Sequence, residues 1–443
     1  MTRTSGYALL AAVTAAVVAI CAAIVLGVGT GGGAAVEAAR PHTSATAATG
    51  AAPAEPADSG DWVGTWATAP TAAEPGTPNG LPGLSVRNVV HASAGGTAAR
   101  VVLSNLFGTV PLVLTHVTLG VAAGPGDPDA VPGAITTLTF GGRDAISIPI
   151  GHDVTSDAVR LRVPAESDLL ISTYTPYASG PVTFHPHARQ TSYVARGDHT
   201  GDTDGTAFTG QDPYWRYVTG VDVWTDDARG SVVTLGDSIT DGMTSTMGAN
   251  HRWPDYLAER LQASRNGPRL GVLNEGISGN RLLTNAPAGT LWGPNTLSRL
   301  DRDALSAPGV RTLVVDIGIN DILEAPQRST AAQIVAGLRQ ITREAHAHGV
   351  RVVGATLTPF GGHVGWTARL NLEREQVNAA IRAGHVYDAY VDFDQALRDP
   401  AAPYRLLPRY DSGDHLHPSD AGYRAMADAV PLPLLTGPAP AGV

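Results

Sequence analysis

A short β-branched run, Ser231-Val232-Val233-Thr234-Leu235, ends in Gly236-Asp237-Ser238, and Gly242 marks another turn soon after. Such a run, bounded by turn residues, reads as a buried strand with the serine at its C-terminal end. Ligands of open α/β sheets bind outside the carboxyl ends of the strands, so a hydroxyl placed there can reach a substrate. Gly-Asp-Ser alone is an ordinary turn sequence. A serine becomes a nucleophile only when a neighbouring base takes its proton, and acyl transfer further needs an orienting carboxylate and fixed oxyanion donors. Candidates for each lie in three later stretches: Asn274-Glu275-Gly276-Ile277-Ser278-Gly279-Asn280, Gly318-Ile319-Asn320-Asp321 and Asp414-His415-Leu416-His417-Pro418.

These stretches need a scaffold that gathers strand ends, and the texture of the chain after Ser231 predicts one. Apolar strands at 270–274, 312–317, 350–355 and 386–392 alternate with helical patterns at 255–264, 330–348 and 369–383. A last helix is expected from Asp420-Ala421, fading at Pro431. This alternation implies right-handed crossovers and a parallel sheet covered on both faces, a three-layer α/β domain over 229–435. Residues 61–228 read differently. Short β-branched strands at 85–91, 99–103, 112–119, 159–163, 168–174 and 182–185 are separated by Gly- and Pro-rich turns, with no helical periodicity. That pattern suggests a β-sandwich or jelly-roll-like domain.

At 443 residues the chain is long for one core, which agrees with two domains plus flanking segments. A hydrophobic content of 43% and a charged content of 16% are those of an ordinary globular protein. The formal net charge is −10, lysine is absent and no basic run occurs, which argues against nucleic acid as a partner, since phosphate neutralisation needs clustered positive charge. Arg3 followed by the apolar segment Tyr7 to Val28 and then small residues reads as a secretory signal over 1–38, processed near Val36-Glu37-Ala38. The same segment, about 22 residues, is long enough to act as an uncleaved membrane anchor, the one way this chain would engage a membrane. Cys21, the only cysteine, falls within it, so the exported chain would hold no disulfide and rely on its core. Residues 39–60 have the Ala/Thr/Pro/Gly composition of a flexible linker, and 436–443 that of a disordered tail.

The four chemistry-bearing stretches, in this order across about Val232 to Val430, resemble the sequence blocks of the SGNH hydrolases, the GDSL esterase and lipase superfamily. The resemblance implies a flavodoxin-like hydrolase domain with Ser238 as nucleophile and Asp414 and His417 completing a triad. It also implies an oxyanion hole built from the N–H of Ser238, the N–H of Gly279 and the side-chain amide of Asn320. Elementary chemistry agrees. A three-residue spacing lets one tight loop present Asp414 and His417 together, and glycine at 279 lets backbone approach a substrate without a Cβ in the way. His415 competes for the role of base, but Ser412 and Gly413 are no carboxylates, so its partner would have to lie elsewhere. Asp237 and Asp321 are expected to be structural. His346 and His348 stand two apart on a helix, and His185 and His187 flank Pro186 with no carboxylate or cysteine cluster near, so no metal site is expected. Serine hydrolysis by this scheme needs no cofactor.

Trp62-Val63-Gly64-Thr65-Trp66 and Leu103-Ser104-Asn105-Leu106-Phe107-Gly108 are similar to the leader region of exported actinobacterial SGNH proteins, some grouped with xylan-associated esterases. That resemblance implies a secreted enzyme acting on O-acyl, chiefly O-acetyl, esters of a plant or microbial polysaccharide; a monomer is expected. Tyr214-Trp215-Arg216-Tyr217, Trp292 and Trp366 are aromatics that either stack on sugars or pack the domain interface. The β-rich domain is read as a wall of the active-site cleft. A lipase or broad carboxylesterase is the alternative enzyme, and a non-catalytic glycan-binding protein the alternative of another class.

Overall fold

In the second half of the chain, strands and helices alternate as the periodicity predicts. The computed structural model describes residues 60–265 and 267–437. The segment read as an export signal, with Cys21, the stretch read as a linker up to residue 59, and residues 438–443 lie outside the described residues. Five strands, β1 (Ser231–Gly236), β2 (Gly271–Gly276), β3 (Val310–Asp316), β4 (Arg351–Ala355) and β5 (Ala389–Val391), form one all-parallel sheet in the order β2-β1-β3-β4-β5. Every residue of β1 is buried, as expected of a central strand covered on both faces. Alternate side chains sort onto two cores. Val232, Val272, Val314 and Val353 pack beneath Trp253–Ala263 and Asp420–Ala429. Val233, Leu235, Leu313 and Val352 pack beneath Ala331–Ala347 and Ala368–Arg382. Local sequence starts two of these helices: Thr330 and Gln333 form a reciprocal capping box, and the Ser419 side chain accepts the Gly422 N–H. The strand order reverses beside β1, so the tip of β1 opens onto the crevice where ligands bind in sheets of this kind.

Residues 61–225 are strands and loops. A four-stranded antiparallel sheet (Asp61–Ala67, Val218–Thr225, Ala98–Ser104, Asp153–Thr155) and a six-stranded one containing Leu84–Ala92, Ser167–Thr175 and His116–Val121 share a single apolar core. Two expected strands differ. The run at 112–119 breaks at Thr115: Leu112–Leu114 pairs with Ile146–Ile148, while His116–Val121 joins the six-stranded sheet. The segment 159–163 alternates in burial as expected, but it meets the neighbouring strand only through single bridges at Val159 and Val163.

The β-rich part covers the open edge of β2. Ser93 Oγ accepts the Val272 N–H at 2.8 Å and lies 2.5 Å from the Thr65 carbonyl, to which it donates. Gly64 and Gly271 allow the backbones to touch: a Cβ on Gly271 would sit 2.0 Å from the Gly64 carbonyl oxygen. These contacts fall at the start of β2, where Gly271 and Val272 pair with Ser231 and Val232, and they cover a strand edge that would otherwise be exposed.

Candidate active site

β1 ends at Gly236 and the chain turns at once into the helical turn Ser238–Asp241. Asp237 caps that turn by accepting the Ile239 N–H at 3.1 Å, and Gly242 closes it in the left-handed conformation, φ 91°. Ser238 is therefore the first helical residue at the tip of the central strand. The loop before the last helix folds back over this tip. Its exit is clamped by the Thr244 hydroxyl, which donates to the Pro418 carbonyl at 2.9 Å, and by the Tyr423 hydroxyl on the Met243 carbonyl at 2.5 Å.

That closure brings His417 Nε2 to 2.8 Å from Ser238 Oγ, while Nδ1 lies 2.6 Å from Asp414 Oδ2. Asp414 Oδ1 accepts the N–H groups of Leu416 at 2.9 Å and His417 at 2.8 Å. Burial pulls the Asp414 carboxyl up, but the His417 ring and the two backbone donors outweigh it, holding the group well below the usual carboxylate range. An ionised carboxylate only accepts, so the neutral ring carries its proton on Nδ1 and leaves Nε2 free to accept from the serine hydroxyl.

The stretch expected to carry oxyanion donors follows β2. Gly279 has φ 78°, and a Cβ there would meet Cδ1 of Trp292 at 2.2 Å, so both the turn and the indole demand glycine. Among the described residues no acceptor takes the N–H of Ser238 or of Gly279. Asn320 Nδ2 donates to the Asn280 carbonyl at 3.0 Å, which fixes its amide next to this loop. Beneath the loop lies Arg299, fully buried. Its guanidinium donates to the Gly236 carbonyl (3.1 Å), the Glu275 carbonyl (2.8 Å), Asn280 Oδ1 (3.1 Å) and Asp303 (3.0 Å), tying the ends of β1 and β2 to the loop around Asn280. Nothing in the local sequence pointed to Arg299, because its partners come from three separate elements.

The remaining acids play supporting parts. Asp321 accepts the N–H groups of Leu282 (2.7 Å) and Leu283 (3.1 Å), anchoring the segment beyond the oxyanion loop. Burial raises both Asp316, to about 7, and Asp237, and the charge of Asp316 lifts Asp237 further, so the pair resists carrying two charges at neutral pH.

Two sequence expectations need correction. His415 does have a carboxylate partner in its own loop: Asp411, four residues earlier, sits 2.5 Å from its Nδ1. His185 also has one, since the fold brings Asp241 Oδ1 to 3.0 Å from its Nε2. His346 pairs with Asp388 at 2.9 Å, and among the described residues no group of three or more His, Cys, Asp or Glu side chains is arranged to hold a metal. Trp215 and Tyr217 are buried packing residues, whereas Trp292 and Trp366 are half-buried. Asn105 shapes its own turn, donating to the carbonyls of Val110 and Ile148. Among the described residues no helix is long and apolar enough to cross a membrane.

Residues 234–425 match the GDSL-like lipase/acylhydrolase family. This stretch is a GDSL-like hydrolase domain. It makes the chain a carboxylic ester hydrolase, and Ser238, Gly279, Asn320, Asp414 and His417 all lie inside it. The hydrolase domain is similar to solved structures that include an aryl esterase of M. smegmatis (18% identity, 45% of this chain and 95% of that one, TM-score 0.36). An acetylxylan esterase from Geobacillus stearothermophilus is also similar (20% identity, 45% and 91%, TM-score 0.35). So is a carbohydrate acetylesterase family member from Sinorhizobium meliloti (16% identity, 45% and 94%, TM-score 0.36). Comparison with curated proteins returns no match.

Proposed function

We propose that this chain is an exported serine esterase that forms an acyl-enzyme on Ser238, with O-acetyl groups on a polysaccharide as its substrate class. The observation that carries the proposal is the unbroken relay from Ser238 Oγ through His417 to Asp414, with contacts of 2.8 and 2.6 Å. In the first half-reaction Ser238 Oγ attacks the ester carbonyl carbon and its proton passes to His417 Nε2. Asp414 stabilises the imidazolium without taking a proton itself. The negative oxygen of the tetrahedral intermediate is held by the N–H groups of Ser238 and Gly279 and the amide of Asn320, donors whose directions are set before reaction. Collapse expels the alcohol, which receives the proton from His417. Water then repeats the sequence in reverse and releases the acid.

A sugar ester is favoured by the half-buried indole of Trp292, which lies against the Gly279 backbone beside the oxyanion donors, where an aromatic face can stack on a pyranose ring. The apolar N-terminal segment supports export. Acetate release from acetylated xylan, compared with turnover of p-nitrophenyl esters of increasing acyl length, tests the substrate class. Acetate release with little turnover of long chains is the expected outcome; a preference for long acyl chains favours a lipase instead. Retained turnover in Ser238→Ala would refute the nucleophile.

A further inference from the structure

His185 belongs to the β-rich part, at the end of the strand Thr183–His185, yet its ring is 2% exposed and touches the helical turn that carries Ser238. Nδ1 lies 2.8 Å from the Ala69 carbonyl oxygen, and Nε2 lies 3.0 Å from Asp241 Oδ1. A carbonyl only accepts, so Nδ1 carries a proton. Burial pushes the Asp241 carboxyl up, but the charge and hydrogen bond of His185, with help from Ser278, outweigh it and hold the group below its usual value. Nε2 faces that carboxylate, so the imidazole bridges the Ala69 carbonyl and Asp241.

The other oxygen of Asp241 faces the oxyanion loop. Oδ2 accepts the Ser278 N–H at 2.8 Å and the Ser278 hydroxyl at 2.5 Å. Ser278 immediately precedes Gly279. Just upstream, Gly276 lets the loop pack on the same turn, since a Cβ there would sit 2.3 Å from the Asp241 nitrogen. His185 itself has little freedom. It pairs across the sheet with Trp215, whose ring centroid is 5.6 Å away and whose indole N–H is held by the Val89 carbonyl at 2.7 Å. A continuous hydrogen-bonded line therefore runs from the β-rich backbone at Ala69, through His185 and Asp241, to the residue before Gly279.

We propose that His185 is a positioning residue for ester hydrolysis: acting through Asp241 and Ser278, it sets where the Gly279 N–H stands relative to Ser238. The inference rests on the serine-esterase reading above. It makes the β-rich part a structural piece of the oxyanion hole, beyond a wall of the cleft. The physical reason is that an oxyanion donor helps only if its direction is fixed before charge develops, and displacement of a reacting group by about 1 Å can cost on the order of 100-fold in rate.

The test uses the full chain with p-nitrophenyl acetate, and with phenylboronic acid as a probe that becomes tetrahedral and anionic on a serine oxygen. His185→Leu should lower kcat roughly 10- to 100-fold with KM within about twofold, and should weaken phenylboronic acid by a similar factor. His185→Gln, which places an amide near the Nε2 position, should restore most of both. Wild-type kcat in His185→Leu overturns the inference, as does a loss accounted for by a smaller folded fraction with unchanged boronate affinity per folded molecule. If His185→Leu does not fold, Ser278→Ala carries the same test: lower kcat at unchanged KM supports the proposal and unchanged kcat overturns it. Activity lost in Ser238→Ala but intact in His185→Leu sinks this inference alone. Full activity in Ser238→Ala sinks the esterase reading with it.

Discussion

His415 and Asp411 form a second imidazole–carboxylate pair on the loop that carries the proposed triad, with Nδ1 2.5 Å from Asp411 Oδ2 against 2.6 Å for His417 and Asp414. The two pairs differ in what the ring reaches beyond its carboxylate: His417 Nε2 meets the Ser238 hydroxyl at 2.8 Å, whereas the His415 ring is half exposed and packs its carbon atoms against Gly362. His417→Ala should lower kcat by about 10,000-fold, and His415→Ala by less than about tenfold. Equal losses in p-nitrophenyl acetate turnover would show that the wrong histidine has been assigned.

At the oxyanion loop, Gly279→Ala places a side chain at φ 78°, a strain of roughly 1–2 kcal/mol, and drives its Cβ into the Trp292 indole. The N–H direction must shift with the backbone. We expect kcat to fall by about 100-fold for Gly279→Ala and by about 100- to 1,000-fold for Asn320→Ala, with KM nearly unchanged in both. A rise in KM at constant kcat would remove either residue from the oxyanion hole.

Arg299 tests the buried scaffold beneath the site. Arg299→Met leaves Asp303 and three other acceptors without their shared donor, and breaking a buried ion pair costs about 3–5 kcal/mol. Arg299→Lys should not recover this, because one ammonium cannot span acceptors that a planar guanidinium reaches together. Urea denaturation measures both. Stability of Arg299→Met within about 1 kcal/mol of the parent would contradict the account.

His91 makes part of the stability pH-dependent. Burial pulls its pKa down, but Asp168 at 2.7 Å and Glu166 at 3.3 Å outweigh that and push it up from 6.5 to about 9. The fold binds the protonated ring more tightly than the unfolded chain does. The contribution is therefore complete below about pH 6.5 and is lost as pH rises through about 9. The Tm gap between the parent and His91→Gln should shrink between about pH 6 and pH 10. A gap that stays constant would show that His91 does not titrate in this way.

Much of the hydrolase domain was legible because its signals are local. Apolar runs ending in glycine marked β1 to β4, and helical spacing marked Trp253–Ala263, Ala331–Ala347 and Ala368–Arg382 to within a few residues. Asp414 and His417 could be paired in advance because a three-residue separation lets one loop satisfy its own backbone and present both side chains. Asp411 lies four residues before His415, and only the fold of the loop brings the two side chains together. In the β-rich part the run at 112–119 carried one continuous strand pattern, and the break at Thr115 arises from two different partner strands competing for it.

Residue types able to serve as nucleophile, base, orienting acid and oxyanion donors, their order, and the alternating elements that carry them are all legible in the linear chain. Periodicity, turn chemistry and loop spacing act over a few residues and survive in a linear reading. Tertiary structure alone decided that His185 reaches Asp241 across 56 positions and that Arg299 gathers carbonyls from two strands. Those contacts depend on strand order, register and how two packed layers meet. Burial made them specific, because a charged or polar group removed from water must find its partner wherever the fold happens to place it.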